Sequence, residues 1–208
     1  MAIGVRETKK IKRREVIFTT ATRILREQGY EKTTMDGIAQ EAGVAVGTLY
    51  NYFASKSELI LALVVEADER CIAACKDVIA SPPDDPVDVL AAIGILQSRY
   101  SIEALDKHAW RYVLAAQAST QDAVFARQYA WTTARLRELF VETLAALKAR
   151  GDLASDVDPA ELGYYLKAMK HMLFDYFIAD DQMGFEQHAK EIRRGLELAM
   201  KGHLTARK

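Results

Sequence analysis

Between Val46 and Lys56 the chain sets out side chains suited to a phosphate backbone and to the edges of bases: Val46, Gly47, Thr48, Tyr50, Asn51, Tyr52 and Lys56. Stepping a helix at about 100° per residue turns Ala45, Leu49 and Tyr52 to one side. Val46, Gly47, Tyr50 and Asn51 fall on the other, with Thr48 at the margin. That outward side offers a bare backbone at Gly47 for close approach and a Tyr50 hydroxyl for phosphate. Asn51, the only asparagine in the chain, has the donor and acceptor that pair with an adenine edge. The free N–H groups at the helix start add a further place for phosphate. Tyr50 and Tyr52 can also be packing aromatics, and Asn51 a plain surface residue. Gly47, Thr48 and Lys56 nearby favour phosphate work for Tyr50, whereas Tyr52 stays open between the two.

Other chemistry is scarce. Cys71 and Cys75 lie four apart on a predicted helix, which directs them badly for a strain-free disulfide, so they read as small apolar fillers. His108, His171, His188 and His203 show no paired metal-binding spacing, and no metal or other cofactor is expected. No G-x-G-x-x-G, P-loop or G-x-S-x-G elbow occurs, so an enzyme is not expected.

The outward face needs a scaffold. Met35 to Ala42 reads as a short helix with Ile38, Ala39 and Ala42 toward a core. Gly43 suits the left-handed position that ends a helix tightly. A second short helix follows from about Ala45 to Phe53. Ser55-Lys56-Ser57-Glu58 then matches a capping box opening a longer helix, and Thr33 or Thr34 opens the helix at Met35. Two short helices on a glycine turn make a helix-turn-helix. Further on, Asp85-Pro86 and Asp158-Pro159 each combine an N-cap with a first-turn proline. Helices are expected near 86–100, 104–118, 121–149, 158–179 and 185–201. No alternating run competes as a strand, so the chain is all-α with about nine helices.

Half of the 208 residues are hydrophobic and 27% are charged, an ordinary globular balance. No apolar run approaches the roughly 20 residues of a membrane helix, and no membrane partner is expected. The basic, polar first residues lack the apolar centre of a secretory signal, so a cytoplasmic location is expected. Over residues 1–56 ten Lys/Arg stand against six Asp/Glu, a net of about +4, which leaves the rest near −5. A basic head on an acidic body fits an electrostatic footprint at one end.

The stretch TTMDGIAQEAGVAVGTLYNYFASKSELI, with RREVIFTTATRILREQGYEKTT before it, resembles the TetR family of helix-turn-helix regulators. The likeness runs over about 12–72, carried by AGV-x-x-GTLY-x-YF-x-x-K. It implies a head over 1–56 and a ligand-binding and dimerisation domain over 57–208. It further implies that Ala45 to Asn51 enter the major groove, with Thr34, Tyr50, Tyr52 and Lys56 on phosphates and Val46, Gly47, Thr48 and Asn51 near bases. The likeness also implies backbone contacts from the basic arm of Lys9, Lys10, Lys12, Arg13 and Arg14, which can equally be a solvated face. The partners implied are a double-stranded DNA operator, a small-molecule effector and a second copy of the chain, in a homodimeric repressor released by its effector. A helical protein-interaction module without DNA binding is the other reading.

In the second domain, Leu162, Leu166, Met169, Leu173 and Tyr176 form one apolar seam, and Phe185, Ala189, Ile192, Leu196 and Ala199 another. Each could be ordinary core; the resemblance implies a four-helix dimer interface through Leu162, Leu166, Met169, Leu173, Tyr176, Phe185, Ile192 and Leu196. Gly163, Ala168 and Gly195 would allow close approach. Large side chains gather between Tyr100 and Phe177. From them Tyr100, Trp110, Phe125, Tyr129, Trp131, Tyr165, Met169 and Met172 are expected to line an effector site.

Overall fold

The computed structural model describes residues 5–118 and 123–205. Among these, nine helices follow one another: α1 (Val5–Lys32), α2 (Met35–Glu41), α3 (Val46–Tyr52), α4 (Lys56–Ala80), α5 (Pro86–Ala104), α6 (Lys107–Ala118), α7 (Ala123–Arg150), α8 (Pro159–Ala179) and α9 (Phe185–Ala199). The expected start of α7 at Gln121 lies outside the described residues. The all-α expectation holds, with only an isolated β-bridge, Leu153 to Leu204, beside the helices.

Helix ends follow the capping chemistry. Asp85 accepts from the backbone N–H of Val87 at 2.7 Å and of Asp88 at 3.2 Å, with Pro86 in the first turn. Asp158 does the same for Ala160 and Glu161 ahead of α8. At α4, the Glu58 N–H donates to Ser55 Oγ at 3.1 Å and the Glu58 carboxylate accepts from Ala54 N–H at 2.6 Å. Thr34, not Thr33, caps α2, accepting from Gly37 N–H at 3.1 Å. Thr33 is buried and donates its hydroxyl to the Gly29 carbonyl at 2.7 Å. Gly29 (φ 79°) kinks α1 one turn before its end.

Two compact units emerge. One comprises Met1–Glu66 with Ala104–Gln128, the other Ala67–Glu103 with Tyr129–Lys208. The first holds α1 to α3, the opening of α4, and α6. Ile17, Ile24, Leu25, Ile38, Leu49 and Leu59 are fully enclosed in it. The second has a core around Leu90, Ile93, Leu139, Phe140, Leu166 and Ile192. Its helices pack tightly where side chains vanish: a Cβ at Gly163 would stand 2.8 Å from Val141 Cγ2 and 3.2 Å from its backbone nitrogen.

Candidate nucleic-acid interface

The α2–α3 turn depends on Gly43, whose φ of 65° belongs to the left-handed region. Around it, Gly43 N–H donates to the Gln40 carbonyl at 3.2 Å and Val44 N–H to the Ala39 carbonyl at 3.0 Å. The chain thus reverses in three residues and sends α3 off with its first turn uncapped by any side chain.

The sidedness of α3 follows from its anchors. Leu49 is fully enclosed and Phe53, just past the helix, stacks on Phe18 with ring centroids 5.6 Å apart. With that side held inward, Val46 and Tyr50 emerge at 41% and 47% exposure, and Gly47 and Asn51 are exposed beside them. A Cβ built at Gly47 meets nothing within 4 Å. Its helical backbone needs no glycine, so the bareness there serves nothing inside the chain. Thr48 and Tyr52 are half-buried and Thr34 is exposed.

Lys56 sits differently from the other candidates. Its ammonium donates to the backbone carbonyls of Tyr30 at 2.8 Å and Thr33 at 2.9 Å, and lies 3.9 Å from the centre of the Tyr30 ring. Partial burial lowers its pKa from the ordinary lysine value. The residue clasps the start of α4 to the α1–α2 junction, leaving one N–H for any outside oxygen. This internal role was missed in the sequence, because α1's kink at Gly29 creates the carbonyl pair that receives it. Tyr30 is also stacked on Tyr112 of α6 at 3.8 Å, and Tyr112's hydroxyl meets Ser57 Oγ at 2.7 Å. In the basic arm, Lys9, Lys10, Lys12 and Arg13 are exposed, whereas Arg14 pairs with Glu66 at 3.4 Å and covers the Phe18 ring.

Residues 17–63 match the family model described as "Bacterial regulatory proteins, tetR family". The HTH-type transcriptional regulator EthR of Mycolicibacterium smegmatis is 24% identical over 83% of this chain and 77% of its own length. HbdR of Aromatoleum is 44% identical, but over only 23% of this chain and 21% of its own length. Among solved structures, a TetR-family regulator from Mesorhizobium loti superposes with a TM-score of 0.75 at 16% identity, over 96% of this chain and all of its own. The Thermus thermophilus repressor FadR, solved with lauroyl-CoA, does so at 0.69 and 23%, over 94% and 97%. Residues 17–63 thus carry the helix-turn-helix of the TetR family of bacterial regulatory proteins. As in that family, the fold pairs a helix-turn-helix with a second helical domain.

The expected effector and dimer residues fall out unevenly. Trp110 and Phe125 are buried in the first compact unit, and Tyr129 in the second, where Tyr100 and Met169 are half-buried. Trp131, Tyr165 and Met172 are corrected: they turn to solvent, Trp131 beneath the Arg135 guanidinium at 4.8 Å. The inward positions next to them are held by polar residues, Thr132, Lys167 and Lys170, which the sequence reading passed over.

Three of the dimer candidates are corrected as well. Leu166, Ile192 and Leu196 are enclosed in the chain's own core and present no surface to a second copy. The two seams meet within one chain: a Cβ at Gly195 would lie 3.1 Å from Met169 Sδ and 3.4 Å from Leu173 Cδ1. Leu162, Met169, Leu173 and Phe185 are half-buried, and only Tyr176 of the eight stands well out. The outward stripe of α8 is Tyr165, Ala168, Met172 and Tyr176, with Leu198 exposed on α9.

Proposed function

We propose that this chain is a homodimeric repressor that holds a palindromic operator and releases it when a small-molecule effector occupies its second domain. In this reading 1–56 is the DNA-binding head and 57–208 the ligand-binding and dimerisation domain, acting in the cytoplasm on duplex DNA without a cofactor and without catalysis. The observation that carries it is the sidedness of α3: Leu49 enclosed, with Val46, Gly47, Tyr50 and Asn51 turned out over open space. Thr34, Thr48 and Tyr52 flank that surface, and Lys56 has one N–H to spare for a phosphate. Few polar groups face the bases, so part of the specificity comes from DNA shape.

Dimerisation is assigned to the exposed stripe of α8, Tyr165 to Tyr176, with Leu198 of α9. Large apolar side chains repeated along one helix face favour burial against a like surface. Two heads related by a two-fold axis then meet half-sites one helical turn, or a multiple, apart. An effector that changes their separation changes operator affinity without touching DNA.

The test is selection of duplexes from a random library, followed by gel-shift titration in rising salt. A regulator of this kind loses about 0.9 log unit of affinity per log unit of salt for each phosphate neutralised. Tyr50→Phe should weaken every selected duplex by about tenfold, the worth of one hydrogen bond to a charged oxygen, at unchanged melting temperature. A chain that selects no duplex at low salt is not this regulator, and a helical protein-interaction module becomes the better reading.

A further inference from the structure

Helix α8 carries two lysines, Lys167 and Lys170, on one side of the helix, and both are buried at 6% and 3% exposure. The helices around them bring further polar groups into the same interior. From α4 come Asp68, buried, and the Cys71 thiol; from α5, Gln97; from α7, Tyr129, Thr132 and the edge of Arg135; from α8 itself, His171 and Asp175. All belong to the second compact unit.

The lysines are poorly satisfied. Lys167 Nζ reaches Gln97 Oε1 at 3.3 Å, a long hydrogen bond to a neutral acceptor. Lys170 Nζ lies 4.8 Å from the centre of the Phe174 ring. The Lys170 stem runs past Gly94, where a Cβ would stand 3.7 Å from both Lys170 Cγ and Phe140 Cζ. Among the described residues, neither ammonium has a carboxylate within the 4.0 Å of an ion pair. A structural buried ion pair holds its charges in contact and completes their hydrogen bonds, since otherwise desolvation outweighs attraction. This interior has two lysines whose charged forms burial disfavours, Lys170 the more strongly, one deeply buried carboxylate out of contact, and Asp175, partly exposed but with its Oδ1 buried and without a hydrogen-bond partner among the described residues. The cluster reaches the surface beside His171 and Asp175, whose side chains are 27% and 44% exposed.

We propose that Lys167 and Lys170 receive the anionic group of the effector, a small organic carboxylate or phosphate whose apolar body lies against Phe174 and its aromatic neighbours. The inference rests on the effector-responsive reading above and names the class of effector. An anion between the two lysine heads supplies the missing counter-charge to both, and the Gln97 amide, one N–H of which donates to the Leu136 carbonyl at 3.1 Å, keeps a second N–H for it. Asp68 opposes it, which sets a selectivity: the guest must carry full negative charge, because a neutral amide of the same shape leaves both ammonium groups uncompensated.

The test uses the full-length protein at pH 7 and its melting temperature. Hexanoate, benzoate, hexyl phosphate and phenyl phosphate are compared with hexanamide and benzamide at millimolar concentration. At least one anion should raise the melting temperature by several degrees, and the amides should not. A response to the carboxylates alone, or to the phosphates alone, assigns the group. Lys167→Met/Lys170→Met should abolish the response, and Asp68→Asn, which removes the competing charge, should lower the anion concentration needed by about tenfold. No response to any anion, an equal response to the amides, or an unchanged response in both variants would overturn the proposal. The melts contain no DNA, so they fail or succeed apart from the operator titration that tests the regulator reading.

Discussion

Replacing Lys167 by methionine should stabilise the protein at neutral pH, the reverse of what removing a charged hydrogen-bonding group ordinarily does. Burial holds the Lys167 ammonium at a pKa of about 8, against 10.5 for an ordinary lysine, even with Asp68 favouring its charge. Each tenfold change in proton affinity is worth about 1.4 kcal/mol, so keeping this lysine protonated inside the fold costs on the order of 3 kcal/mol. Methionine matches its length and removes the charge. Two losses offset part of the gain. Gln97 Oε1 loses its donor, about 1 kcal/mol. Asp68, whose carboxyl burial already pushes from 3.8 to about 6, loses a nearby cation and rises further, costing on the order of 1 kcal/mol more at pH 7. The net is about 1 kcal/mol in favour of the variant, or roughly 2–4 °C in melting temperature for a chain of this size.

The pH dependence separates this account from better packing. Between pH 8 and 10.5 the unfolded chain binds a proton at Lys167 that the folded chain has released, so wild-type stability rises with pH across that window. Lys167→Met lacks that rise and should lose its advantage above about pH 10.5. On the acid side, folded Asp68 keeps a proton that the unfolded chain has released between pH 3.8 and 6. Its contribution therefore falls as pH climbs through that window, and Asp68→Asn should flatten the fall. Denaturant titrations of the three proteins across pH provide the measurement. A destabilised Lys167→Met at pH 7 would refute the reasoning, since it would mean the buried ammonium is well paired after all.

Gly47→Ala should raise stability by about 0.5–1 kcal/mol, because the position is helical and its Cβ site is empty, yet weaken operator binding several-fold in a gel shift; full binding would show that no duplex approaches there. Lys56→Met should lower stability by about 1–3 kcal/mol, since the carbonyls of Tyr30 and Thr33 lose a shared donor; an unchanged melt would return Lys56 to the list of free surface cations. Met172→Glu places a charge in the exposed stripe of α8 and should shift sedimentation toward a monomer while the melted fraction at low temperature stays negligible. A variant that sediments like the wild type would place the dimer contact elsewhere.

Much of the head was legible from sequence because its signals are local. A cap, a left-handed glycine and the burial of Leu49 each act within a few residues, and together they orient α3. The caps at Asp85 and Asp158 likewise placed the starts of α5 and α8 to within a residue. What escaped depends on contacts distant in sequence. Lys56 finds its carbonyls 26 and 23 residues away, and its type and spacing suited a phosphate equally well. The seams of α8 and α9 were correctly seen as apolar, but periodicity reports that a face is buried without reporting what covers it. Met169 and Leu173 cover Gly195 of the same chain.

Helix α8 explains why the second domain misleads a reading by pattern. An amphipathic surface helix puts apolar residues inward and charges outward. In α8 the core-facing side includes Lys167 and Lys170 beside Leu166 and Phe174, while Tyr165, Met172 and Tyr176 stand in solvent. A hydropathy stripe drawn on such a helix does not tell its inward side from its outward one: Tyr165 and Met172, expected to line a site, stand in solvent. Both departures are costly to an isolated empty chain: apolar surface in water on one side, ammonium groups away from water on the other. In the proposed reading each is relieved by a different partner, a second copy against the stripe and an anion between the lysines. If both readings hold, one helix carries dimer contacts on its outer side and effector contacts on its inner side. A small rotation or shift of α8 as the lysines close on the anion would then be transmitted directly to the dimer contact, and operator release would need no longer route than the width of that helix. Measuring dimer dissociation with and without the stabilising anion decides this. The Lys167→Met/Lys170→Met protein should dimerise with a strength indifferent to the anion, whereas at saturating anion the wild-type dimer constant should change by the square of the per-site ratio of anion affinities in monomer and dimer, because a dimer binds two anions. An anion that melts higher with wild type yet leaves its dimer constant untouched would disconnect the two sides of the helix.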